Sequence, residues 1–163
     1  MDSGFHIKLQ IAGRFYPLII EQIPDVRLTI TGDHANMPLP SLQNVTLAGY
    51  VDDIKSLIAT CDVSIAPIWS GGGTRIKILE AMAVGTPVVS TSKGAEGLLA
   101  LNGKHILIAD DAQEFASHVI RLLLDENLRR QVSSNAKQLV KSTYDWQIIM
   151  PQVLHFVDRV TAG

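Results

Sequence analysis

The residues best suited to bind a ligand lie in one loop and the helix predicted to follow it. This segment, residues 70–80, has the sequence SGGGTRIKILE, with three consecutive glycines after a predicted strand. Glycines let a backbone pass close to a ligand. The first turn of a helix leaves N–H groups unpaired and carries partial positive charge. The pattern therefore predicts an anion site suited to a diphosphate group.

Two charged side chains follow in the same helix. Lys77 and Glu80 lie one helical turn apart and share a face with Thr74. The lysine could offset phosphate charge, and the glutamate could accept two hydrogen bonds from ribose hydroxyls. Two alternatives stay open, namely a surface Lys–Glu pair worth about 0.2–0.5 kcal/mol and a plain flexible glycine loop. The loop has neither Walker nor dinucleotide-fingerprint spacing. The stripe expected to face the core is Ile76, Leu79 and Ala83.

The rest of the chain alternates predicted strands and helices. Short apolar runs predict strands at 26–30, 45–48, 62–67, 87–90 and 106–109, and turn-forming residues predict a loop at 33–43. Helices are expected at 7–22, from Asp52 or Asp53 to about Thr60, and at 74–84, 111–124, 126–141 and 145–160. This alternation predicts a Rossmann-like α/β fold, a doubly wound parallel sheet in three α/β/α layers.

Composition narrows the class of protein. A length of 163 residues favours one domain, 1–163, and 47% hydrophobic with 18% charged residues is typical of a globular protein. The formal net charge of −2 gives no basic footprint for nucleic acid. The sequence contains no apolar run as long as a membrane span. The single cysteine, Cys61, fits a reducing compartment.

Several isolated residues have both a functional and a structural interpretation. Cys61 is expected to be a small core residue, and Trp146 a packing anchor. Asp52 or Asp53 is expected to cap a helix rather than bind a metal. Glu96 could either approach a ligand or face solvent. The five histidines lack metal-ligand spacing, so no metal site is expected.

Several stretches resemble the C-terminal domain of GT-B glycosyltransferases of the group 1, family 4-like type. The most specific is GTRIKILEAMA at 73–83, followed by GTPVV at 85–89. Segments 24–32, 45–53, 61–67, 94–97 and 144–146 are also similar. The resemblance covers roughly residues 24–160, and residues 1–23 fit it less well. It implies a donor-binding domain of a retaining hexosyltransferase, which binds a UDP- or GDP-sugar and uses no cofactor.

The resemblance also implies roles for single residues. Glu80 matches the second glutamate of a paired-glutamate motif, which holds the donor ribose. Tyr50 and Val51 match the segment that contacts the base. Lys77 belongs to a variant with a lysine before the second glutamate, and its contact with phosphate is a hypothesis. The loop that lies against the diphosphate and donor sugar matches Gly72, Gly73, Thr74 and Arg75.

The sequence departs from the family pattern in two ways. First, Gly72 stands eight positions before Glu80, where the family has the first glutamate, which faces the transferred sugar. Second, the sequence has no match to the acceptor-binding domain of the family; that domain is expected N-terminal to it in the same polypeptide, and the present chain alone is expected to be inactive. A non-catalytic nucleotide-binding module and a GT-B-like nucleotide-sugar epimerase remain alternatives. The expected location is cytoplasmic, or at the inner face of the membrane for the complete enzyme.

Overall fold

The computed structural model of the chain describes residues 4–32, 43–70 and 75–161. Within these ranges, strands and helices alternate through most of the chain, and three helices end it. The strands are β1 (Leu28–Thr31), β2 (Val45–Gly49), β3 (Ser64–Ala66), β4 (Val88–Ser90) and β5 (Leu107–Ile108). The helices are α1 (Gly4–Gln22), α2 (Ile54–Ala59), α3 (Ile76–Val84), α4 (Ser92–Ala95), α5 (Ala112–Leu124), α6 (Glu126–Thr143) and α7 (Trp146–Thr161).

All strand pairs within the described residues are parallel. Strand β1 pairs with β2, and β4 lies between β3 and β5. Each predicted strand is present. β3, β4 and β5 are shorter than predicted, whereas β1 and β2 each extend one residue beyond the predicted end. Because parallel strands point the same way, the loops that leave β3, β4 and β5 lie at one edge of the sheet. In open α/β sheets, this carboxyl edge is where ligands bind.

Both faces of the β3–β4–β5 sheet are buried. Side chains alternate between the two faces along a strand, and in β4 Val89 packs with Phe15 and Phe115 of α1 and α5. The neighbouring Val88 packs on the other face with Met82 of α3 and Ala136 of α6. Helices therefore cover both sides of the sheet, which confirms the predicted three-layer Rossmann-like arrangement.

Short acidic side chains begin several of the helices. Asp53, Asp111 and Asp125 each accept a hydrogen bond from the backbone N–H three residues later, over 2.9–3.0 Å. These are N-cap bonds, which satisfy otherwise unpaired amides in the first turn. Asp53 is therefore the predicted helix cap.

Helix α1 is tied to the first pair of strands by one tyrosine. Tyr16 is buried, and its hydroxyl donates to the carbonyl oxygen of Gln43 over 2.9 Å. Burial raises the pKa of this hydroxyl, so it remains a donor at neutral pH. Leu28 of β1 and Val45 of β2 pack against the same core cluster as Tyr16. The two sheets thus share a core.

The predicted core stripe of α3 is wrong. Ile76 is 54% exposed and Ala83 is also exposed, whereas Leu79 is half-buried. Most positions in the helix are apolar, so spacing alone did not distinguish the buried face from its neighbours. The helix begins at Ile76, with Arg75 as its N-cap residue, rather than at Thr74. The side chains that face the core are Ile78, Ala81 and Met82.

Two further predictions about single side chains are wrong. Cys61 is exposed rather than part of the core, because it precedes β3 and follows the last turn of α2. Trp146 is 69% exposed at the start of α7 and is not a packing anchor for the described residues. Most of the predicted loop at 33–43 lies outside the described residues.

Candidate functional site

Helix α3 begins at the end of the loop that leaves the carboxyl end of β3. Arg75 supplies no side-chain cap to this helix, and its carbonyl accepts from the amides of Ile78 and Leu79 over 3.0 and 3.1 Å. The amides of the first helical turn therefore gain no partner from the Arg75 side chain. The predicted site residues Gly72, Gly73 and Thr74 lie outside the described residues.

Glu80 and Lys77 do not form the surface pair that was the alternative to a binding role. Lys77 is exposed and Glu80 is half-buried. Within the described ranges, neither side chain has an ion-pair partner within 4.0 Å, and the Glu80 carboxylate accepts no hydrogen bond. A half-buried carboxylate without a protein partner loses hydration that a ligand could replace. Within the described ranges, the structure therefore does not contain the Lys77–Glu80 surface pair.

Arg75 is tied to the loop that follows β4. Its side chain is only 7% exposed, and its guanidinium lies 3.3 Å from Glu96 Oε2. Lys93 Nζ contacts the same oxygen over 2.6 Å. The buried Arg75 Nε has no hydrogen-bond partner within the described residues. Arg75 and Glu96 are thus brought together, although 21 residues separate them in sequence.

The charge pattern keeps Glu96 ionised. The hydrogen bond and charge of Lys93, followed by the charge of Arg75, lower the pKa of the Glu96 carboxyl. Its side chain is 58% exposed, so water screens these contacts and their effect on stability is small. At neutral pH, Glu96 therefore presents acceptor oxygens and no donor.

Polar residues from three loops fix the carboxyl edge of the sheet. Thr91 caps α4 by accepting from the Gly94 amide over 3.0 Å, and its hydroxyl donates to the Ile68 carbonyl. Asp110 accepts from both the amide and the hydroxyl of Ser92 over 2.8 and 2.7 Å. These bonds connect the loops after β3, β4 and β5.

This polar network was not predicted from the sequence. A threonine just before a helix is a typical N-cap signal and could have predicted α4. The contacts between loops carry no comparable local signal, because each joins residues that are distant in sequence. The hydrogen bond of Trp69 is a further example, because its indole N–H donates to the carbonyl of Asp110, 41 residues away in sequence, over 2.9 Å.

Gly94 allows the α4 turn to approach the end of β3. A Cβ at this position would lie 2.8 Å from the carbonyl oxygen of Ala66 and would also collide with Ser90 Oγ. We expect Gly94→Ala to lower the free energy of unfolding by about 1–3 kcal/mol, measured by urea denaturation.

Gly13→Ala is a matched control for this substitution. A Cβ at the exposed Gly13 of α1 would meet no atom within 4 Å. Alanine there should raise stability by about 0.5–1 kcal/mol, because glycine is a poor helix former. Similar changes in the two variants would contradict the close approach at Gly94.

Tyr50 and Val51 follow the carboxyl end of β2. Tyr50 is 86% exposed and Val51 is half-buried. Gly49, just before them, has a φ of +63° and accepts from the Gly32 amide over 2.7 Å. The turn therefore carries both residues onto the carboxyl edge of the β1–β2 pair.

Two other features are absent from the part of the chain that the structure describes. No three His, Cys, Asp or Glu side chains there are grouped closely enough to hold a metal ion. None of the helices in these ranges combines the length and the apolar character needed to cross a bilayer.

The fold is a Rossmann-like α/β domain, and its candidate binding residues lie along the carboxyl edge of parallel strands. The family described as glycosyl transferases group 1 matches residues 9–125, and the chain belongs to this family. The match includes most of α1.

Curated relatives extend beyond this chain. The phosphatidyl-myo-inositol mannosyltransferase of Mycobacterium leprae is 29% identical over 156 residues, which are 90% of this chain and 41% of that protein. An uncharacterised 44.6 kDa protein in the cps region of Klebsiella pneumoniae is 27% identical over 143 residues, 81% of this chain and 37% of that protein. The chain thus spans about two fifths of the length of these relatives.

Solved structures share the fold. Anabaena Alr3699/HepE in complex with UDP-glucose aligns with a TM-score of 0.73 at 21% identity, over 93% of this chain and 50% of that chain. Sucrose-phosphate synthase from Thermosynechococcus elongatus aligns with a TM-score of 0.77 at 20% identity, over 96% and 42%. The C-terminal domain of a group 1 glycosyl transferase from Francisella tularensis gives 0.70 at 17% identity, over 86% and 79%.

Proposed function

We propose that this chain binds the nucleotide diphosphate end of a UDP- or GDP-sugar, as the donor-binding part of a hexosyltransferase. The observation that supports this most directly is Glu80, a half-buried carboxylate without a partner among the described residues, on the helix that starts at the carboxyl edge. Membership of the glycosyl transferases group 1 family supports the reaction class. It also favours a transferase over an epimerase.

In this proposal, each part of the site binds one part of the donor. The N-terminus of α3 and the loop at 72–75 lie against the diphosphate, where aligned amide dipoles stabilise negative charge as the nucleotide departs. Glu80 accepts hydrogen bonds from the ribose hydroxyls. Tyr50 and Val51 contact the base, and Lys77 offsets phosphate charge from the exposed face of the helix.

Among the relatives, a solved structure contains UDP-glucose, and several curated proteins are named mannosyltransferases. These names support a nucleotide sugar as the ligand and leave both a uridine and a guanosine donor as candidates. The free, exposed Cys61 suits a reducing compartment, and we propose a cytoplasmic location.

We further propose that an acceptor-binding domain in the same polypeptide completes the enzyme. The share of the curated relatives that this chain spans, about two fifths, supports this proposal. Helix α7 also exposes large apolar side chains that another domain could cover, among them Trp146, Leu154 and Phe156.

Titration calorimetry with UDP, GDP, UDP-glucose and GDP-mannose tests the proposed function. We expect either the two uridine ligands or the two guanosine ligands to bind with a Kd of about 1 mM or tighter, which corresponds to a binding free energy near −4 kcal/mol. Free glucose is the control ligand and should not bind measurably. The absence of binding by all four nucleotides at millimolar concentration would contradict the proposal.

Gly72 favours one further candidate, a nucleotide-binding module without catalysis. It replaces the glutamate that faces the transferred sugar in the family pattern. An assay of donor hydrolysis by the complete polypeptide separates the two functions. A catalytic unit would release free sugar slowly in the absence of acceptor, whereas a binding module would only retain the nucleotide sugar.

A further inference from the structure

The segment that would face the donor sugar lacks an acidic side chain. No Asp or Glu lies between Asp62 and Glu80, and Gly72 stands where the paired motif has its first glutamate. A sugar presents hydroxyl groups, for which a carboxylate is a strong hydrogen-bond acceptor. The fold must therefore supply such an acceptor from another segment if the site recognises the sugar through a carboxylate.

Glu96 is a carboxylate held by the side chains of Arg75, the N-cap residue of α3, and Lys93 of α4. Arg75 and Lys93 both contact its Oε2 atom, over 3.3 and 2.6 Å. The other oxygen, Oε1, has no partner among the described residues. The Glu96 side chain as a whole is 58% exposed.

The position of Glu96 is fixed by its surroundings. The Arg75 side chain that contacts it is only 7% exposed. Glu96 also directly follows α4, which Thr91 caps and which Gly94 seats against the end of β3. A fixed acceptor loses little conformational freedom when a ligand binds.

We propose that Glu96 recognises the transferred sugar of the donor, by accepting hydrogen bonds from sugar hydroxyls through Oε1, and that Arg75 is the positioning residue that holds it. This inference rests on the proposed function. It assigns the role of carboxylate acceptor for the sugar to a residue after β4, because the glycine-rich loop contains no acidic residue. The negative charge of Glu96 makes it a poor neighbour for phosphate, so its contacts fall on the sugar.

The test compares each free nucleotide with its sugar conjugate, using calorimetry on the chain and on its Glu96→Gln and Glu96→Asp variants. Loss of a hydrogen bond to a charged acceptor weakens binding roughly tenfold. We expect both variants to bind UDP-glucose or GDP-mannose about tenfold more weakly, while UDP or GDP binding changes less than about twofold. Glu96→Asp keeps the negative charge but shortens the side chain by one methylene group. It therefore distinguishes the loss of the hydrogen bonds to the sugar from the loss of the charge.

Glu126→Gln is the matched control, because Glu126 is an exposed, ion-paired carboxylate on α6. It should leave both affinities unchanged. The inference is overturned if Glu96→Gln leaves the sugar conjugate unaffected, weakens both ligands equally, or strengthens free-nucleotide binding, which would make Glu96 a competitor for the phosphate. Failure of the unmodified chain to bind any of the four nucleotides would instead overturn the proposed function itself.

Discussion

Replacing Glu80 with alanine is expected to weaken nucleotide binding roughly ten- to a hundredfold, because hydrogen bonds to a charged group contribute about 1.5–3 kcal/mol. The carboxylate has no partner among the described residues, so the variant breaks no internal contact there. We expect the free energy of unfolding to change by less than about 0.5 kcal/mol. Titration calorimetry and urea denaturation of the same preparations separate the two effects.

A nucleotide that lacks the 2′-hydroxyl group tests whether Glu80 contacts the ribose. For the unmodified chain, the 2′-deoxy form of the preferred nucleotide should bind more weakly than the ribose form. For Glu80→Ala, the two forms should bind alike, since the acceptor of the ribose hydroxyls is gone. This is a double-mutant cycle across the interface. Equal losses for the deoxy ligand with both proteins would place Glu80 away from the ribose.

Phe115→Ala is expected to lower the free energy of unfolding by about 3–5 kcal/mol. The Phe115 ring is fully buried, 4.8 Å from the ring centroid of Phe15 and 6.1 Å from that of Trp69. It joins α1, α5 and the loop after β3, so truncation leaves a cavity at their junction. The expected loss is a large fraction of the roughly 5–15 kcal/mol that stabilises an ordinary domain.

Phe156→Ala provides the matched control for this second substitution. Phe156 is 67% exposed on α7, and its removal should change stability by less than about 0.5 kcal/mol. Urea denaturation with a constant m value would show that both variants unfold in the same transition. A loss below about 1 kcal/mol for Phe115→Ala would contradict its place in the core.

Much of the fold could be predicted from short-range patterns. The five apolar runs all became parallel strands. The central strand β4 shows the reason most clearly, because a strand buried on both faces must be apolar on both, as Val88 and Val89 are. The helix cap at Asp53 likewise needs only the backbone amide three residues later. Local spacing placed Glu80 on the α3 helix, whereas the resemblance to the glycosyltransferase family singled it out as a ribose ligand.

The arrangement of the site could be predicted only in part. The sequence placed Arg75 at the start of α3, but it did not indicate that the side chain is buried against Glu96. That contact depends on two loops that leave adjacent strands, and their approach depends on Gly94. The exposure of Cys61 and Trp146 also depends on which surfaces other elements cover.

The sequence by itself determined the order of strands and helices and the location of the glycine-rich loop, because these follow from periodicity, turn residues and helix capping within a few positions. The tertiary structure decided which face of α3 is buried, since nearly every side of that helix is apolar. It also decided that Glu96, 21 residues further along the chain, pairs with the buried side chain of Arg75. Contacts between distant segments form only when the sheet brings its carboxyl ends together, and no local pattern records them.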